Sequence, residues 1–235
     1  MRRTIVAFLL AVGTVSVGLG CDKIISSDVT ETPFDLPSKS YSFDSAAFPI
    51  PAGITSEVPC GAGQLVTDCC MPPVGPAPDC NATPIACQQN ENGVSVCTAM
   101  VTVSQSQMLN FAQEAPELNS LPSVINIKIK RISYVVMTNT LNIDLPDVEL
   151  FLGPAGATKP SDSGVVKFGT MPGIMAGTMP AGDVVLVRDA ESVLGMFTRD
   201  LTAPISFIAS TTLTVTHSPT GRIDLTVSGK LAASL

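Results

Sequence analysis

Residues Ile205 to Leu231 read ISFIASTTLTVTHSPTGRIDLTVSGKL, with apolar side chains at nearly every second position on both sides of a central turn signal. Alternation with a period of two is typical of a strand that buries one face. Pro219 and Gly221 occupy the second and fourth positions of the segment that starts at Ser218, as a type I turn prefers. The stretch therefore predicts two long strands joined as an antiparallel hairpin.

Two further segments alternate, and each changes phase part-way along. In residues 125–130 every second side chain is apolar, and the apolar phase then moves to Ile132. Such a change predicts a β-bulge or a bend within one strand. In residues 141–152 the phase shifts across Pro146, which cannot donate to a sheet and so predicts an edge strand or a break.

Little of the chain has helical periodicity. Asp189 can cap a short helix that runs to about Leu201, with Val193 and Phe197 at four-residue spacing. Residues 94–103 alternate and predict another strand. Many strands, one short helix and frequent turn signals predict an all-β, antiparallel, immunoglobulin-like β-sandwich with a small disulfide-stapled, cysteine-rich segment.

The composition limits which residue types form the core and which partners the protein can bind. The 235-residue chain has no Trp and only 5% aromatic residues, which predicts a core of Val, Ile, Leu and Met. Its formal charge of −7 repels nucleic acid and anionic lipid headgroups. We interpret the basic residues Lys128, Lys130 and Arg131 as the solvated edge of a strand, and we expect no nucleic-acid partner.

The first residues carry an export signal. Arg2 and Arg3 precede an uncharged, largely apolar run, and small residues then lead to Gly18-Leu19-Gly20-Cys21. This end resembles the lipobox of bacterial lipoproteins, although Gly18 stands where that family usually has Leu, Val or Ile. The resemblance implies cleavage before Cys21, acylation of its thiol and a membrane anchor. The alternative is a plain secretory signal that leaves Cys21 as an ordinary thiol.

These signals divide the chain into five parts. We expect a signal peptide in residues 1–20, a flexible tether in 21–38, a possible first strand of the sandwich in 39–59, a cysteine-rich disulfide segment in 60–97 and the β-sandwich domain in 98–235.

The cysteine count agrees with acylation. There are 7 cysteines, and removing Cys21 leaves an even set, which suits disulfides in an oxidising compartment. That set is Cys60, Cys69, Cys70, Cys80, Cys87 and Cys97. A bond between the adjacent Cys69 and Cys70 is excluded by ring strain, and the pairing is otherwise open. A metal site is the alternative, but no CxxC pair occurs and the single histidine, His217, lies far away in sequence.

The order of strands in the C-terminal half resembles a known family. A long strand through Tyr134, then Asn139, then a second strand from Leu141 to Gly153 is similar to the immunoglobulin-like domain of the water-stress and late-embryogenesis-abundant proteins. The family's Asn-Pro pair is missing, because Thr140 follows Asn139. The resemblance implies a sandwich and no functional residue.

Motifs for catalysis are missing from the sequence. GxSxG, HExxH and GxxxxGK do not occur. We interpret His217 as a histidine at a strand end, and Asp144 and Asp147, which flank Pro146, as turn and edge residues. We therefore predict that the protein is not an enzyme and needs no cofactor.

A methionine-rich loop is the one local oddity. Gly-Thr-Met-Pro occurs at residues 169–172 and again at 177–180, which puts Met171, Met175 and Met179 at every fourth position. Thioethers are soft ligands that suit Cu(I). We favour packing of these side chains over a sandwich edge, with a Cu(I) site as the alternative.

Together these features favour a non-catalytic, lipid-anchored lipoprotein on the periplasmic or outer side of a bacterial envelope. Its sandwich would be a binding or structural module, with the membrane and other envelope proteins as partners. The alternative is a ligand carrier for a lipidic molecule or Cu(I). A third hypothesis is an envelope hydrolase that uses His217.

Overall fold

The computed structural model describes residues 31–51, 54, 57–61, 69, 83–90, 92–116, 118 and 126–234. The expected signal peptide, Cys21, Cys70 and Cys80 lie outside these residues. Within the described ranges no helix is long and apolar enough to cross a membrane.

Ten strands dominate the described residues. They are β1 (Thr32–Asp44), β2 (Ile85–Gln89), β3 (Ser95–Leu109), β4 (Asn126–Asn139), β5 (Val148–Pro154), β6 (Val166–Met171), β7 (Ala181–Asp183), β8 (Val185–Leu186), β9 (Ile205–Val215) and β10 (Arg222–Ser234). One sheet has the order β1-β10-β4-β7, and the other has the order β2-β3-β9-β5-β6-β8. Every pair is antiparallel, so the predicted β-sandwich is confirmed.

The predicted hairpin between β9 and β10 is wrong. The strand β9 pairs with β3 and β5, whereas β10 pairs with β1 and β4 in the opposite sheet. Burial in β10 alternates as expected, but β9 is buried on both faces from Ile205 to Thr211 and alternates only from there to Val215. Alternation in the sequence also does not identify the neighbouring strand. The connection between β9 and β10 is an arch that passes from one sheet to the other. Two hydrogen bonds fix it: Thr140 N donates to Arg222 O at 2.8 Å, and Ser45 N donates to Gly221 O at 3.0 Å.

The phase changes correspond to real interruptions. In β4 the register with β10 skips one residue between Ile129 and Arg131, so the predicted bulge lies at Lys130. A second skip, between Val136 and Thr138, was not predicted.

The predicted interruption at Pro146 is also confirmed. Leu145 forms only an isolated bridge with Ile174, and β5 then begins at Val148. Because β5 lies between β9 and β6, the chain is broken there and is not an edge.

The first strand begins earlier than the tether boundary allowed. Residues 32–38, which composition assigned to the tether, belong to β1, and the register with β10 shifts between Leu36 and Lys39. Phe34 is buried in the core and Leu36 packs against it, but two apolar residues between Pro33 and Pro37 are too few to show an alternating pattern. The cysteine-rich segment likewise contains β2 and the start of β3.

The core is more aromatic than the composition suggested. Its buried phenylalanines are Phe34, Phe43, Phe48, Phe111, Phe151, Phe168 and Phe207. Phe168 and Phe207 meet edge to face with centroids 6.1 Å apart. Tyr41 on β1 is buried in the same core, and its hydroxyl donates to Phe207 O at 3.2 Å in the opposite sheet. Burial raises the pKa of Tyr41 above its ordinary value.

Among the described residues, two short named α-helices occur where one was expected, besides a 3-10 turn at Ser45–Ala47. The helix α1 (Phe111–Glu114) is one turn, and Asn110 caps it by accepting from Gln113 N at 3.2 Å. The predicted helix is α2 (Ala190–Phe197), which ends before Leu201. Asp189 lies at its N-cap position without a side-chain capping hydrogen bond. Both helices pack at the margins of the sheets and leave the sandwich as the frame for any site.

Candidate functional site

Two disulfides fasten the cysteine-rich segment to the sandwich. Cys60 bonds Cys87 with Cα atoms 6.0 Å apart, and Cys69 bonds Cys97 with Cα atoms 5.4 Å apart. Cys87 and Cys97 face each other across β2 and β3, yet each is bonded to a cysteine from the preceding segment. The pairing left open by the sequence is thus defined for four cysteines, and Cys70 and Cys80 lie outside the described residues.

These disulfides take up sulfurs that could otherwise hold a metal. The Sγ atoms of Cys60, Cys69 and Cys97 lie within 4.8 Å of one another. All three are in S–S bonds, so none is a thiolate in this structure. The cluster therefore has the chemistry of a covalent staple, and disulfides of this kind are typical of an oxidising compartment.

Backbone pairing supports the staple. Cys60 N donates to Ser95 O at 3.0 Å, and Cys97 N donates to Val58 O at 2.8 Å. Residues 58–60 therefore lie beside the start of β3. They occupy the edge of β3 that pairs with β9 farther along. Sequence reasoning could not find this contact, because the segment has no alternating pattern.

The three methionines predicted as a packing group or Cu(I) site lie in different environments. Met171 is fully buried in the core at the end of β6. Met175 and Met179 are 67% and 63% exposed. Met137 on β4 is 60% exposed and was not singled out from the sequence. The signal for Met137 in the sequence is an apolar side chain in the polar phase of β4, two residues after the exposed Val135.

The candidate acid and base residues have structural partners. Asp144 accepts from Ala176 N at 2.7 Å, and Asp147 accepts from Gly173 N at 2.8 Å, so both carboxylates fix the methionine-rich loop. His217 is half-buried after β9, with Nδ1 3.1 Å from Thr216 Oγ1. No contact among the described residues joins His217 to either carboxylate.

The apolar cavity between the sheets is small. Its volume is about 40 Å³, and its walls include Leu36, Phe111 and Phe207. Lys39 also lines it and forms an ion pair of 2.6 Å with Glu114, both side chains being about one-fifth exposed. Sites for small organic ligands are usually in the range of about 300–1,000 Å³. The cavity therefore offers no support for a lipid carrier.

The basic residues of β4 are neutralised by acidic neighbours. Glu31 pairs with Lys128 and Lys130, and Arg131 pairs with Asp183. The hydrogen bonds from both lysines lower the pKa of Glu31 to about 2. The strand β4 lies between β10 and β7, and the exposed basic side chains it carries have compensating acidic neighbours.

Comparisons with known proteins add little. No protein family and no curated protein matches the sequence. Among solved structures, one of carbohydrate-binding modules with promiscuous specificity from the β-sandwich superfamily aligns at 8% identity and TM-score 0.23, covering 84% of this chain and 54% of that chain. Desmodium yellow mottle tymovirus aligns at 14% identity and TM-score 0.24, covering 70% of this chain and 94% of that chain. Similarities this low carry no argument, and the resemblance to the late-embryogenesis-abundant domain stays a prediction.

Proposed function

We propose that this protein is a non-catalytic, lipid-anchored protein of the bacterial cell envelope, whose β-sandwich is a binding or structural module. The sequence supports the anchor through Cys21 and the export signal before it. A neutral acyl anchor also fits a chain whose net charge of −7 gives no electrostatic attraction to anionic lipid.

The observation that carries the proposal is the pair of disulfides. Cross-links that close loops of 27 and 28 residues stabilise a segment with little apolar content, and they persist only where thiols are not kept reduced. They thus agree with export, and they account for four of the six cysteines that remain once Cys21 is acylated.

The position of β1 shapes the anchoring hypothesis. The sandwich begins at Thr32, so the chain from Cys21 could reach at most about 40 Å even when fully extended. A tether that extended to residue 38 would hold the sandwich farther from the membrane. We infer that the module works close to the membrane surface.

Acylation is tested on protein from the membrane fraction. We expect the intact mass of the wild type to include lipid at Cys21, and we expect Cys21→Ser to appear without lipid in a soluble exported fraction. The protein is alkylated before digestion, with and without prior reduction. The alkylating reagent should label Cys60, Cys69, Cys87 and Cys97 only in the reduced sample. A wild type found soluble, unacylated and cut at another residue would instead support a plain secretory signal.

The binding role is tested separately, by crosslinking in cells. Photo-crosslinking residues are placed at exposed positions of each sheet, Val135 on β4 and Thr212 on β9. We expect one sheet to capture a reproducible envelope partner while the other does not. Equal and irreproducible capture from both sheets would argue against a specific binding face.

A further inference from the structure

The outer face of β4 brings two distant methionines together. Hydrogen bonds from Val136 N to Pro180 O and from Val184 N to Ile132 O, both 2.9 Å, mark alternate hydrogen-bonded pairs along β4 and β7. Between these two hydrogen bonds, Val135 lies opposite Ala181, and this is the pair nearest the methionine-rich loop. Beyond this pair, Val136 N donates to Pro180 O and Asn139 Nδ2 donates to Thr178 O, so the backbone of Met179 runs alongside β4 near Met137.

Both side chains point away from the core. Met137 and Met179 are 60% and 63% exposed, while Val136 between the exposed Val135 and Met137 is buried. Methionine side chains are long and flexible, so two thioethers on neighbouring stretches of backbone can approach one another.

A third methionine is held at the end of this pair. Asn139 donates from Nδ2 to Met175 O at 3.0 Å and to Thr178 O at 2.9 Å. Thr178 N closes the turn on Met175 O at 3.1 Å, and Gly177 has the positive φ of 68° that the turn needs. The backbone of Met175, whose side chain is 67% exposed, is thereby held at the end of β4, where Asn139 lies two residues after Met137.

A negative charge lies next to the turn. Asp144 accepts from Ala176 N at 2.7 Å, so its carboxylate contacts the residue that follows Met175 in the chain. A nearby carboxylate favours a bound cation through the Coulomb term. The group formed by Met137, Met175 and Met179 is called the methionine surface below.

We propose that the methionine surface binds Cu(I). Three solvent-accessible thioethers on a hydrogen-bonded frame are soft ligands for a soft, monovalent ion, and hard cations such as Mg²⁺ and Ca²⁺ prefer oxygen donors. The inference deepens the proposed function, on which it rests for the exported location, by naming the ligand class of the module. It replaces the buried Met171 of the sequence hypothesis with Met137.

The test is a Cu(I) titration of the full-length protein against a chromophoric Cu(I) chelator, with ascorbate as reductant so that the disulfides stay intact. We expect the wild type to withdraw one equivalent of Cu(I). Met137→Leu and Met179→Leu should each weaken binding at least about tenfold, since each removes a ligand.

Two variants serve as matched controls. Met108→Leu changes a 49% exposed methionine on the other sheet, and Met171→Leu changes the buried methionine with little change in volume. Both should leave binding unchanged. A methyl NMR titration with Ag(I), a redox-stable substitute, should shift the methyl signals of the methionine surface and not that of Met108.

The outcomes separate cleanly. Failure of the wild type to compete for Cu(I), or equal losses in Met108→Leu or Met171→Leu, would overturn the methionine surface as a site and leave acylation of Cys21 untouched. Cu(I) binding by a protein that is not acylated would contradict only the lipid anchor.

Discussion

Gly221 is the residue at which the arch between the two sheets passes closest to another loop. Its φ is +91°, and a Cβ at this position would overlap the carbonyl group of Thr140. The sequence predicts a glycine here as the fourth residue of a type I turn that starts at Ser218. The structure adds a closer constraint, since the backbone of the 139–142 loop leaves no space for any side chain.

Gly221→Ala should therefore destabilise the protein by more than about 2 kcal/mol, because backbone strain and steric overlap act together. Gly156→Ala is the matched control, since Gly156 has a φ of +86° but nothing within 4 Å of the added Cβ. It should cost only about 1 kcal/mol, the cost of the left-handed conformation. Urea unfolding measures both. Equal losses would show that overlap with Thr140 contributes nothing.

Tyr41 connects the sheets with one hydrogen bond, from its hydroxyl to Phe207 O. Tyr41→Phe keeps the packed ring and should cost about 1 kcal/mol at neutral pH. Because the folded state raises the pKa of Tyr41, the unfolded chain releases this proton first as pH rises. The wild type should thus lose stability above about pH 10, the ordinary tyrosine pKa, and Tyr41→Phe should lose less over that range. Parallel slopes in denaturation at several alkaline pH values would contradict this role.

At the scale of elements, the sequence predicted which strands exist better than which strands pair. Bulges and breaks were visible because they move the apolar phase, as at Lys130 and Pro146. Pairing between β9 and β10 was mistaken, since alternation is the same for a hairpin and for an arch between sheets. Phe34 was missed because a strand next to a proline-rich region has few apolar positions to show a period.

The candidate site was harder to predict than the strands. Met171, Met175 and Met179 share a spacing, but spacing in a loop does not report burial, and Met171 lies in the core. Met137 comes near Met179 only because residues 178–180 are hydrogen-bonded to the end of β4, about forty positions away in sequence. Such long-range pairing is set by the whole sheet and leaves no local signal.

The disulfide staple gives the element-scale prediction. Replacing Cys60 and Cys87 together by Ala should lower the free energy of unfolding by about 2–4 kcal/mol, because a loop of 27 residues is no longer closed. Peptide mapping without reductant should still recover the bond between Cys69 and Cys97. The reciprocal variant, without Cys69 and Cys97, should keep the bond between Cys60 and Cys87. Scrambled pairing in either variant would contradict the observed connectivity.

At the scale of the whole molecule, the first and last strands of the described residues pair in one sheet. The first strand β1 pairs with the last strand β10 along nearly its full length, and β10 is enclosed by β4 on its other side. In the second sheet β9 has the same enclosed position between β3 and β5. The short strands β7 and β8 lie at the edges, each with a neighbour on one side only.

Hydrogen exchange should follow this arrangement. Peptides from β10 and from residues 205–210 of β9 should exchange slowest, through global unfolding, because both edges of these stretches are hydrogen-bonded and their inward side chains are buried. Peptides from β7 and β8 should exchange fastest among the strands, since local opening breaks only a few bonds. Mass spectrometry of the deuterated protein measures both in one experiment. Because an arch joins β9 to β10, β9 is protected by β3 and β5 within its own sheet. Tyr41→Phe weakens the contact between the sheets and should therefore leave the rank order of the exchange rates unchanged. Fast exchange of β10 together with slow exchange of β7 would contradict the observed strand order.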